Sequence, residues 1–315
     1  MQSMPFSRRE FLAVGAASAA AVVLARWAGA AEGEKARPIR IMLNTATIRG
    51  CKIDGKDFGI EKKIEIASKA GFDCIEPWIN ELNDYKRQGK SMKDLAKLIK
   101  DSGLTIEDAL GFATWIVNDD AARGKALDEA KRDMDMVAEL GCPRMAAPPS
   151  GATGETLPTE KIADRYRALA ELGDKAGVIP MAEVWGFSKT FTTLNETVKA
   201  AMASGHPKAC VLPDVYHLYK GGSSFEDIKK LTNGNFQVLH INDYPDIARG
   251  KIGDKDRVYP GDGVAPLTQL LRDLKEMKYS GLVSLELFNP EYWKQDPSVV
   301  AKTGCEKVKA ALAKA

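Results

Sequence analysis

The sequence predicts an α/β fold with a single domain, a closed (β/α)8 barrel, and three observations support this prediction. Short apolar runs alternate with amphipathic segments, and the runs recur about every 30 to 40 residues except for a longer gap before the eighth. Several helices also end in a glycine before the next strand. Parallel strands require this alternation, because a helix must return the chain between them. A G-x-G-x-x-G turn after the first strand is absent, which disfavours a dinucleotide-binding sheet.

The individual elements follow from these patterns in chain order. The predicted strands cover residues 39–44, 73–77, 104–109, 144–147, 178–184, 209–214, 236–241 and 282–287. Amphipathic helices are predicted at residues 60–70, 92–101, 125–140, 159–176 and 300–312. A left-handed glycine that turns a helix into the following strand is expected at Gly71, Gly103, Gly141, Gly177 and Gly281.

Composition and charge narrow the function. The chain of 315 residues is 44% hydrophobic and 28% charged, which is enough to bury one large core. Its formal net charge is only +2. Because a near-neutral chain lacks the electrostatic footprint of a nucleic-acid-binding protein, we expect no nucleic-acid partner. The five cysteines are scattered without a C-x-x-C pair, which argues against a disulfide framework or a zinc knuckle.

The first 30 residues have the pattern of a signal peptide. Ser7-Arg8-Arg9-Glu10 precedes Phe11-Leu12 and an apolar run to residue 25, and Ala28-Gly29-Ala30 forms a small-residue cleavage site. The run of about 15 apolar residues is too short for a stable membrane anchor, which needs about 20.

The paired arginines resemble the twin-arginine (Tat) signal, which implies the Tat export machinery as a partner and a periplasmic or secreted location. A general secretory leader with two chance arginines is the alternative. The predicted organisation is therefore a Tat signal peptide at residues 1–30 and a barrel at residues 31–315.

Four consecutive predicted strands end in a possible metal ligand: Glu183, Asp214, His240 and Glu286. Side chains alternate along a strand, so each ligand shares the inward face with the residues two and four positions before it. These residues are Met181 and Ile179, Leu212 and Cys210, Val238 and Phe236, and Ser284 and Leu282. In such barrels the carboxyl ends of the strands converge on the site.

Three carboxylates and one imidazole predict one divalent metal ion. Clustered carboxylates repel one another, and a bound cation removes that conflict. An oxygen-rich ligand set favours Mn²⁺, Mg²⁺ or Co²⁺, with Mn²⁺ expected and Zn²⁺ less favoured. Any one of these residues taken alone is more often a loop hydrogen-bonding group or an ion-pair partner, and the coincidence of four on successive strands favours the metal.

The motifs that surround these residues resemble a known family. Glu183-Val-Trp-Gly, Asp214-Val-Tyr-His217, His240-Ile-Asn-Asp243, Pro260-Gly-Asp-Gly263 and Ser284-Leu-Glu286 occur in this order. As an ordered set they are similar to the xylose-isomerase-like sugar phosphate isomerases and epimerases, in particular the ketose 3-epimerases. The resemblance covers most of the chain after the leader.

The resemblance implies specific roles. Glu183, Asp214, His240 and Glu286 are the expected metal ligands, and Glu183 and Glu286 are also the expected catalytic acid and base. His217 is expected to contact substrate oxygens, although a purely structural histidine behind Asp214 is the alternative. Arg257 is expected to bind substrate, but the loop is longer than in the family and Arg249 competes for that role.

The implied reaction is isomerisation or epimerisation of an open-chain sugar through an enediolate that the metal stabilises. Tryptophan faces pack well against sugar C–H surfaces, so Trp78, Trp115 and Trp185 are expected to bind substrate. Loop packing is their alternative role. Glu76, and either Glu107 or Asp108, are further candidates for the mouth of the barrel.

Other functions stay open on the same barrel. A lyase, a dehydratase or an enzyme that cleaves keto-glycosides would use the same metal. A non-catalytic sugar-binding protein would keep the pocket. An AP endonuclease would need many histidines for a three-zinc cluster, whereas this chain has three: His206, His217 and His240. Export favours a free sugar or a keto-sugar over a sugar phosphate, and a homo-oligomer is compatible with the sequence.

Overall fold

Eight parallel β-strands close into a barrel in residues 39–315, the part of the chain that this computed structural model describes. The signal peptide predicted at residues 1–30 lies outside the described residues. The strands are β1 (Arg40–Asn44), β2 (Cys74–Glu76), β3 (Thr105–Ile106), β4 (Arg144–Ala147), β5 (Ile179–Glu183), β6 (Cys210–Leu212), β7 (Val238–Ile241) and β8 (Leu282–Leu285). The (β/α)8 prediction is confirmed.

Parallel pairing runs around the whole barrel. One sheet has the strand order β3-β2-β1-β8-β7, and a second has the order β4-β5-β6. Single parallel bridges join the two sheets, Leu110 with Ala146 on one side and Asp214 with His240 on the other. At these joints the Ala146 N–H donates to the Ala109 carbonyl at 2.9 Å, and the His240 N–H donates to the Pro213 carbonyl at 3.0 Å.

Helices surround the strands, and their ends follow capping chemistry. The helices are α1 (Ile60–Ala70), α2 (Ile79–Arg87), α3 (Met92–Asp101), α4 (Asp120–Glu139), α5 (Thr159–Ala176), α6 (Leu194–Ala203), α7 (Val215–Gly221), α8 (Leu267–Glu276), α9 (Pro290–Trp293) and α10 (Pro297–Lys314). Helix α4 begins five residues before the predicted start, because Asp119 caps it by accepting from the Ala122 N–H. Helix α10 likewise begins early, behind the Asp296 cap.

The predicted glycine caps are mostly confirmed. Gly71, Gly103, Gly141 and Gly177 have positive φ angles between 75° and 87°. Gly281 does not, and the prediction of a left-handed cap there is wrong. A Cβ atom on Gly281 would lie 2.3 Å from the Gln237 carbonyl oxygen, so this glycine allows close packing of two chain segments.

The barrel interior is a small apolar cluster that supports the site. Its fully buried members come from all parts of the sheet and are Met42, Cys74, Leu110, Ala146, Met181, Cys210, Leu212, Val238 and Leu282. The prediction that Phe236 points inward is wrong. Strand β7 begins only at Val238, and Phe236 stacks on Tyr279 in the outer core with ring centroids 4.6 Å apart.

The outer core lies between the strands and the helices. All five cysteines are buried and have free thiols, in agreement with their scattered spacing. None of the helices in residues 39–315 is long and apolar enough to cross a bilayer.

We expect Leu212→Ala to lower the free energy of unfolding by about 2–5 kcal/mol, because it removes a buried side chain from the barrel interior and leaves a cavity. Urea denaturation followed by circular dichroism measures this change. Val264→Ala is the control, since Val264 is 56% exposed and should change stability by less than about 0.5 kcal/mol. Equal losses in both variants would contradict the assigned interior position.

Candidate active site

The four predicted ligand residues converge at the carboxyl ends of β5 to β8. The Nδ1 atom of His240 lies 3.4 Å from Glu286 Oε2, 3.9 Å from Asp214 Oδ2 and 4.0 Å from Glu183 Oε1. All four residues are at most 3% exposed. Two ligands of one ion are separated by no more than about 4.4 Å, because each lies about 2.0–2.2 Å from it. The ligand atoms of Asp214, His240 and Glu286 lie within 4.8 Å of one another, which is about the spacing of ligands around one ion. Glu183 lies at the edge of this group, with one oxygen 4.0 Å from His240 Nδ1.

Two buried polar atoms without a hydrogen-bond partner make this cluster suitable for a divalent cation. His240 Nδ1 and Glu183 Oε2 are buried and have no hydrogen-bond partner among residues 39–315. The other imidazole nitrogen, His240 Nε2, donates to Glu76 Oε1 at 3.1 Å. A neutral imidazole that donates from Nε2 presents its lone pair on Nδ1, which is the arrangement of a metal-binding histidine. The donor set is thus an imidazole nitrogen with three carboxylates.

Glu76, one of the further candidates, lies directly behind His240. Its other oxygen, Oε2, accepts from Ser284 Oγ at 2.6 Å and from Asn44 Nδ2 at 2.8 Å. Burial, together with the charge of Glu76, raises the pKa of Asp108 well above its usual value, so this carboxyl group is neutral. The charge of His240 and the hydrogen bonds from Asp108 and Ser284 lower the pKa of Glu76 despite its burial, so Glu76 stays ionised. Its hydrogen bond to His240 fixes the orientation of the imidazole ring.

The third candidate, Glu107, is at the opposite end of the barrel. Its Oε1 atom accepts from Arg40 at 2.7 Å, and its Oε2 atom lies 3.2 Å from Arg144. Both arginines are the first residues of their strands, so this cluster is at the amino ends. Of the two alternatives Glu107 and Asp108, Glu107 therefore points away from the mouth, whereas Asp108 lies beside Glu76.

The carboxylates create a strong demand for positive charge. Burial disfavours a charged imidazole, yet Glu76 and Glu286 outweigh burial and raise the pKa of His240 well above its usual value. Burial also raises the pKa of Glu183, to about 8, and the nearby charge of Glu286 adds to this shift. Glu286 differs, because His240 and Arg257 overcome the effect of burial and lower its pKa. Two neighbouring glutamates thus have very different proton affinities.

Arg257 reaches into the centre of the cluster. Its Nη1 atom donates to Asp214 Oδ2 at 2.9 Å and to Glu286 Oε2 at 2.8 Å, and its Nη2 atom donates to His217 Nε2 at 3.2 Å. It is 1% exposed. Arg249, the competing candidate, is exposed on its loop and does not line the cavity. Of the two arginines, Arg257 is the one that the structure places at the site.

His217 lines the cavity beside Arg257. Burial and the positive charge of Arg257 lower the pKa of His217 well below its usual value, so the imidazole is neutral. Its backbone N–H donates to Asp214 Oδ1 at 2.8 Å, and Asp214 thereby caps helix α7. Because a capping side chain reaches the backbone N–H three residues ahead, this contact fixes the first turn of α7 and with it the position of residue 217.

The H-x-x-D and P-G-x-G motifs form one loop structure. Asp243 accepts from the backbone N–H groups of Tyr244, Gly261, Gly263 and Ala265 at 2.8 to 3.1 Å. A Cβ atom at Gly263 would lie 2.2 Å from the Tyr244 carbonyl oxygen, so only glycine allows this approach. Asp243 therefore anchors the turn that follows Arg257, and its role is structural.

A cavity of about 290 Å³ opens above the cluster, and aromatic rings form its rim. Trp78 and Trp185, two of the three tryptophans expected to bind substrate, line this cavity with Phe112, Phe187 and Phe288. The Trp78 and Phe112 ring centroids are 4.7 Å apart, and those of Trp185 and Phe187 are 5.1 Å apart. Glu183 and Glu286 line the same cavity.

Trp115 is not part of this rim, so the prediction that it binds substrate is wrong. It is 1% exposed and packs edge-on against Tyr166 in the outer core. Its indole N–H donates to the Pro148 carbonyl at 3.0 Å, which satisfies the polar atom internally. The loop after β3 packs Trp115 against Tyr166 of helix α5. This contact joins distant parts of the chain, so the local sequence pattern does not predict it.

Several residues of the site and of the cavity above it were missed by sequence analysis. Asn44 links Glu286 to Trp78, because its amide donates to Glu286 at 3.1 Å and its carbonyl accepts from the indole at 2.9 Å. Asn242 donates to Asp214 at 2.9 Å. Asn44 ends β1 in the same way that the ligands end their strands, and this position was the available signal. Arg49 and the three phenylalanines lie in loops, where no periodic pattern marks them.

Comparison with known proteins gives a family. A family model described as a xylose isomerase-like TIM barrel matches residues 64–310. The chain therefore belongs to this family, and it is an enzyme, since its curated relatives are isomerases, dehydratases and epimerases.

The relatives differ in reaction. An inosose isomerase from Bacillus velezensis is 28% identical over 260 residues, which is 81% of this chain and 92% of that protein. A fructoselysine 3-epimerase from Escherichia coli O157:H7 is 25% identical, covering 80% of this chain and 94% of that protein. A 3-dehydroshikimate dehydratase from Pseudomonas putida is 24% identical over 73% of this chain, but the match covers 36% of that protein.

Among solved structures, the crystal structure of the IOLI protein with a bound zinc atom is similar in fold. Its TM-score is 0.79 at 24% sequence identity, and the match covers 88% of this chain and 99% of that one.

We expect Glu76→Gln to weaken Mn²⁺ binding by about tenfold, because the neutral amide no longer holds His240 as an ionised partner does. Isothermal titration calorimetry measures the Kd. Glu139→Gln is the control, since Glu139 is exposed on helix α4. If both the Mn²⁺ affinity and the melting temperature of Glu76→Gln were unchanged, Glu76 would not be what orients His240 for metal binding.

Proposed function

We propose that this enzyme is a divalent-metal-dependent isomerase or epimerase that acts on a polyhydroxy ketone, a sugar or sugar derivative. One observation carries the proposal: Glu183 and Glu286 are buried on the floor of one cavity, within 4.0 Å of the same imidazole nitrogen. Two carboxylates that face one cavity are suited to remove and return protons on a bound carbon. The inosose isomerase and fructoselysine 3-epimerase relatives support the same class of reaction.

Glu183, Asp214, His240 and Glu286 would hold the cation. A divalent cation, when bound, supplies a Lewis acid that polarises the carbonyl of a hydroxy-ketone substrate. One glutamate removes the proton from the carbon next to the carbonyl. The other glutamate delivers a proton to the opposite face of that carbon, which gives an epimer, or to the neighbouring carbon, which gives an isomer.

The remaining residues orient the substrate and its charge. Arg257 keeps its positive charge at all relevant pH values, because Asp214, Asp254 and Glu286 raise its pKa further despite burial. It is placed to stabilise the negative charge that develops on a substrate oxygen. His217 is neutral and lines the same wall, where it contacts substrate hydroxyl groups. Trp78 and Trp185 pack against the C–H surface of the substrate.

A dehydratase is the second candidate, and the match to 3-dehydroshikimate dehydratase favours it. There a glutamate removes the same proton, and the hydroxyl group on the adjacent carbon leaves as water after the other glutamate protonates it. The two candidates share the first step and differ in the product. NMR of the product distinguishes them, since elimination creates a new alkene signal and epimerisation does not.

We expect Glu183→Gln and Glu286→Gln each to lower kcat by about 10² to 10⁴, because each removes one proton-transfer group. The assay incubates the Mn²⁺-loaded protein in D₂O with a panel of ketoses, inososes and 3-keto-glycosides, and NMR follows deuterium incorporation and product. Circular dichroism tests that both variants remain folded. Retained turnover in both variants would refute the acid–base assignment.

We further propose that the protein is exported folded by the twin-arginine route, acts in the periplasm or outside the cell, and carries Mn²⁺. Arg8 and Arg9 in the Ser-Arg-Arg-Glu-Phe-Leu segment support the route. Folding before export supports the metal, because the ion is then loaded in the cytoplasm, where Mn²⁺ does not compete with Zn²⁺ or Cu²⁺ outside. The three carboxylates of the site also suit this ion.

We expect the double substitution Arg8→Lys, Arg9→Lys to leave the protein in the cytoplasm, because the paired arginines are what the export machinery recognises. Cell fractionation and immunoblotting measure the distribution, with Arg26→Lys as the control within the same leader. Elemental analysis of the exported protein should find manganese. Stoichiometric zinc there would contradict the metal assignment, and export of the double variant would contradict the route.

A further inference from the structure

Arg49 lies at the mouth of the barrel, in the segment that follows β1. Its guanidinium carbon is 4.4 Å from the centroid of the Trp78 ring, 5.0 Å from that of Phe288 and 5.9 Å from that of Trp293. The side chain as a whole is exposed. Aromatic faces attract a cation and hold the planar group in place. Arg49 is therefore positioned by three rings and remains accessible to a ligand.

Two cavities meet at this residue. The cavity above the metal cluster, of about 290 Å³, and a neighbouring cavity of about 220 Å³ share Arg49 and Trp78 in their walls. The second cavity extends toward the start of helix α1. A substrate whose reacting carbons lie between Glu183 and Glu286 therefore has its far end close to Arg49.

Arg49 differs from the other cations of these walls. Three cationic side chains line the two cavities within residues 39–315, namely Arg49, Lys63 and Arg257. Lys63 forms an ion pair with Glu81, and Arg257 forms ion pairs with Asp214, Asp254 and Glu286. Arg49 has no carboxylate oxygen within 4.0 Å in that part of the chain.

The acidic side chains of the second cavity are already neutralised. Asp57 pairs with Lys52, Glu61 with Lys90, and Asp84 with Arg87. Glu81 pairs with Lys63. These pairs leave no unpaired carboxylate among the residues that line the second cavity to oppose an anion at Arg49. Burial lowers the pKa of Arg49, and the more distant charges of Glu286, Glu81 and Asp254 do not fully offset this effect.

We propose that Arg49 binds an oxyanion at the end of the substrate away from the reacting carbons. The inference rests on the proposed function and narrows its substrate class to a polyhydroxy ketone that bears a carboxylate or a phosphate group. The planar guanidinium offers two parallel N–H donors, which match either oxyanion. Arg49 is thus a specificity-determining residue, whereas Arg257 acts at the reacting end.

The test compares three ketoses that differ at one carbon: D-fructose, D-fructuronate and D-fructose 6-phosphate. Isothermal titration calorimetry measures their Kd values with the Mn²⁺-loaded full chain. We expect at least one of the two anions to bind about tenfold or more tightly than D-fructose, the effect of one charge-assisted hydrogen-bonded pair. The anion whose affinity falls more when Arg49 is replaced shows whether the site binds a carboxylate or a phosphate group.

Variants separate Arg49 from other effects. Arg49→Gln should reduce the preference for the anion to less than about twofold, taken as the ratio of the Kd of D-fructose to the Kd of the anion in the same variant. Arg49→Lys should retain part of the preference, because charge remains and the planar fork is lost. Arg132→Gln, an exposed arginine on helix α4, should match the unmodified protein.

The outcomes decide between the proposals. A preference that persists in Arg49→Gln, or the lack of any preference in the unmodified protein, overturns the anion site. Because the measurement is equilibrium binding, it does not depend on turnover. Turnover of neutral ketoses without an Arg49-dependent preference overturns the anion site alone, and an Arg49-dependent preference without any turnover overturns the proposed function alone.

Discussion

The structure depends on one electrostatic constraint, the burial of three carboxylates around a single imidazole. Glu183, Asp214 and Glu286 each present an oxygen to His240 Nδ1 within 4.0 Å, in a place that water hardly reaches. Buried like charges are costly unless a cation or hydrogen bonds compensate them. The raised pKa values of Glu183 and His240 and the direct insertion of Arg257 all express this demand for positive charge. A divalent cation satisfies the same demand with the right donor set.

The barrel supplies the rigidity that this cluster needs. Three of the four ligands follow an inward residue that is packed in the apolar interior, Met181 below Glu183, Leu212 below Asp214 and Val238 below His240. Below Glu286 lies Ser284, which donates to Glu76. Hydrogen bonds from the neighbouring strands then fix the orientation, with Glu76 behind the imidazole and Asn44 beside Glu286. Catalytic groups held in this way do not need to reorganise during the reaction. The hydrogen bonds of Asp243 to the turn after Arg257 hold that arginine in place as well.

The aromatic rim connects the reacting end of the cavity to its entrance. Trp78 takes part in both, because its indole N–H bonds to Asn44 in the polar layer and its ring face supports the Arg49 guanidinium. Chemistry and substrate selection therefore lie at different depths of one cavity. In this family of barrels the strands carry the chemistry and the loops set specificity, which fits relatives that share the fold and differ in reaction.

The sequence by itself determined the barrel and the four convergent residues, because both follow from local geometry. A period of two along a strand and a helix between parallel strands are covalent and steric constraints, so they place Glu183, Asp214, His240 and Glu286 on one face without further information. Only the tertiary structure decided which loop residues reach the cavity. Trp115 and Phe236 are packed in the outer core, and Phe236 lies two residues before β7 begins. Arg257 lines the cavity and Arg249 does not. These outcomes, like the position of Arg49, depend on contacts between segments far apart in the chain, and no repeating local pattern encodes them.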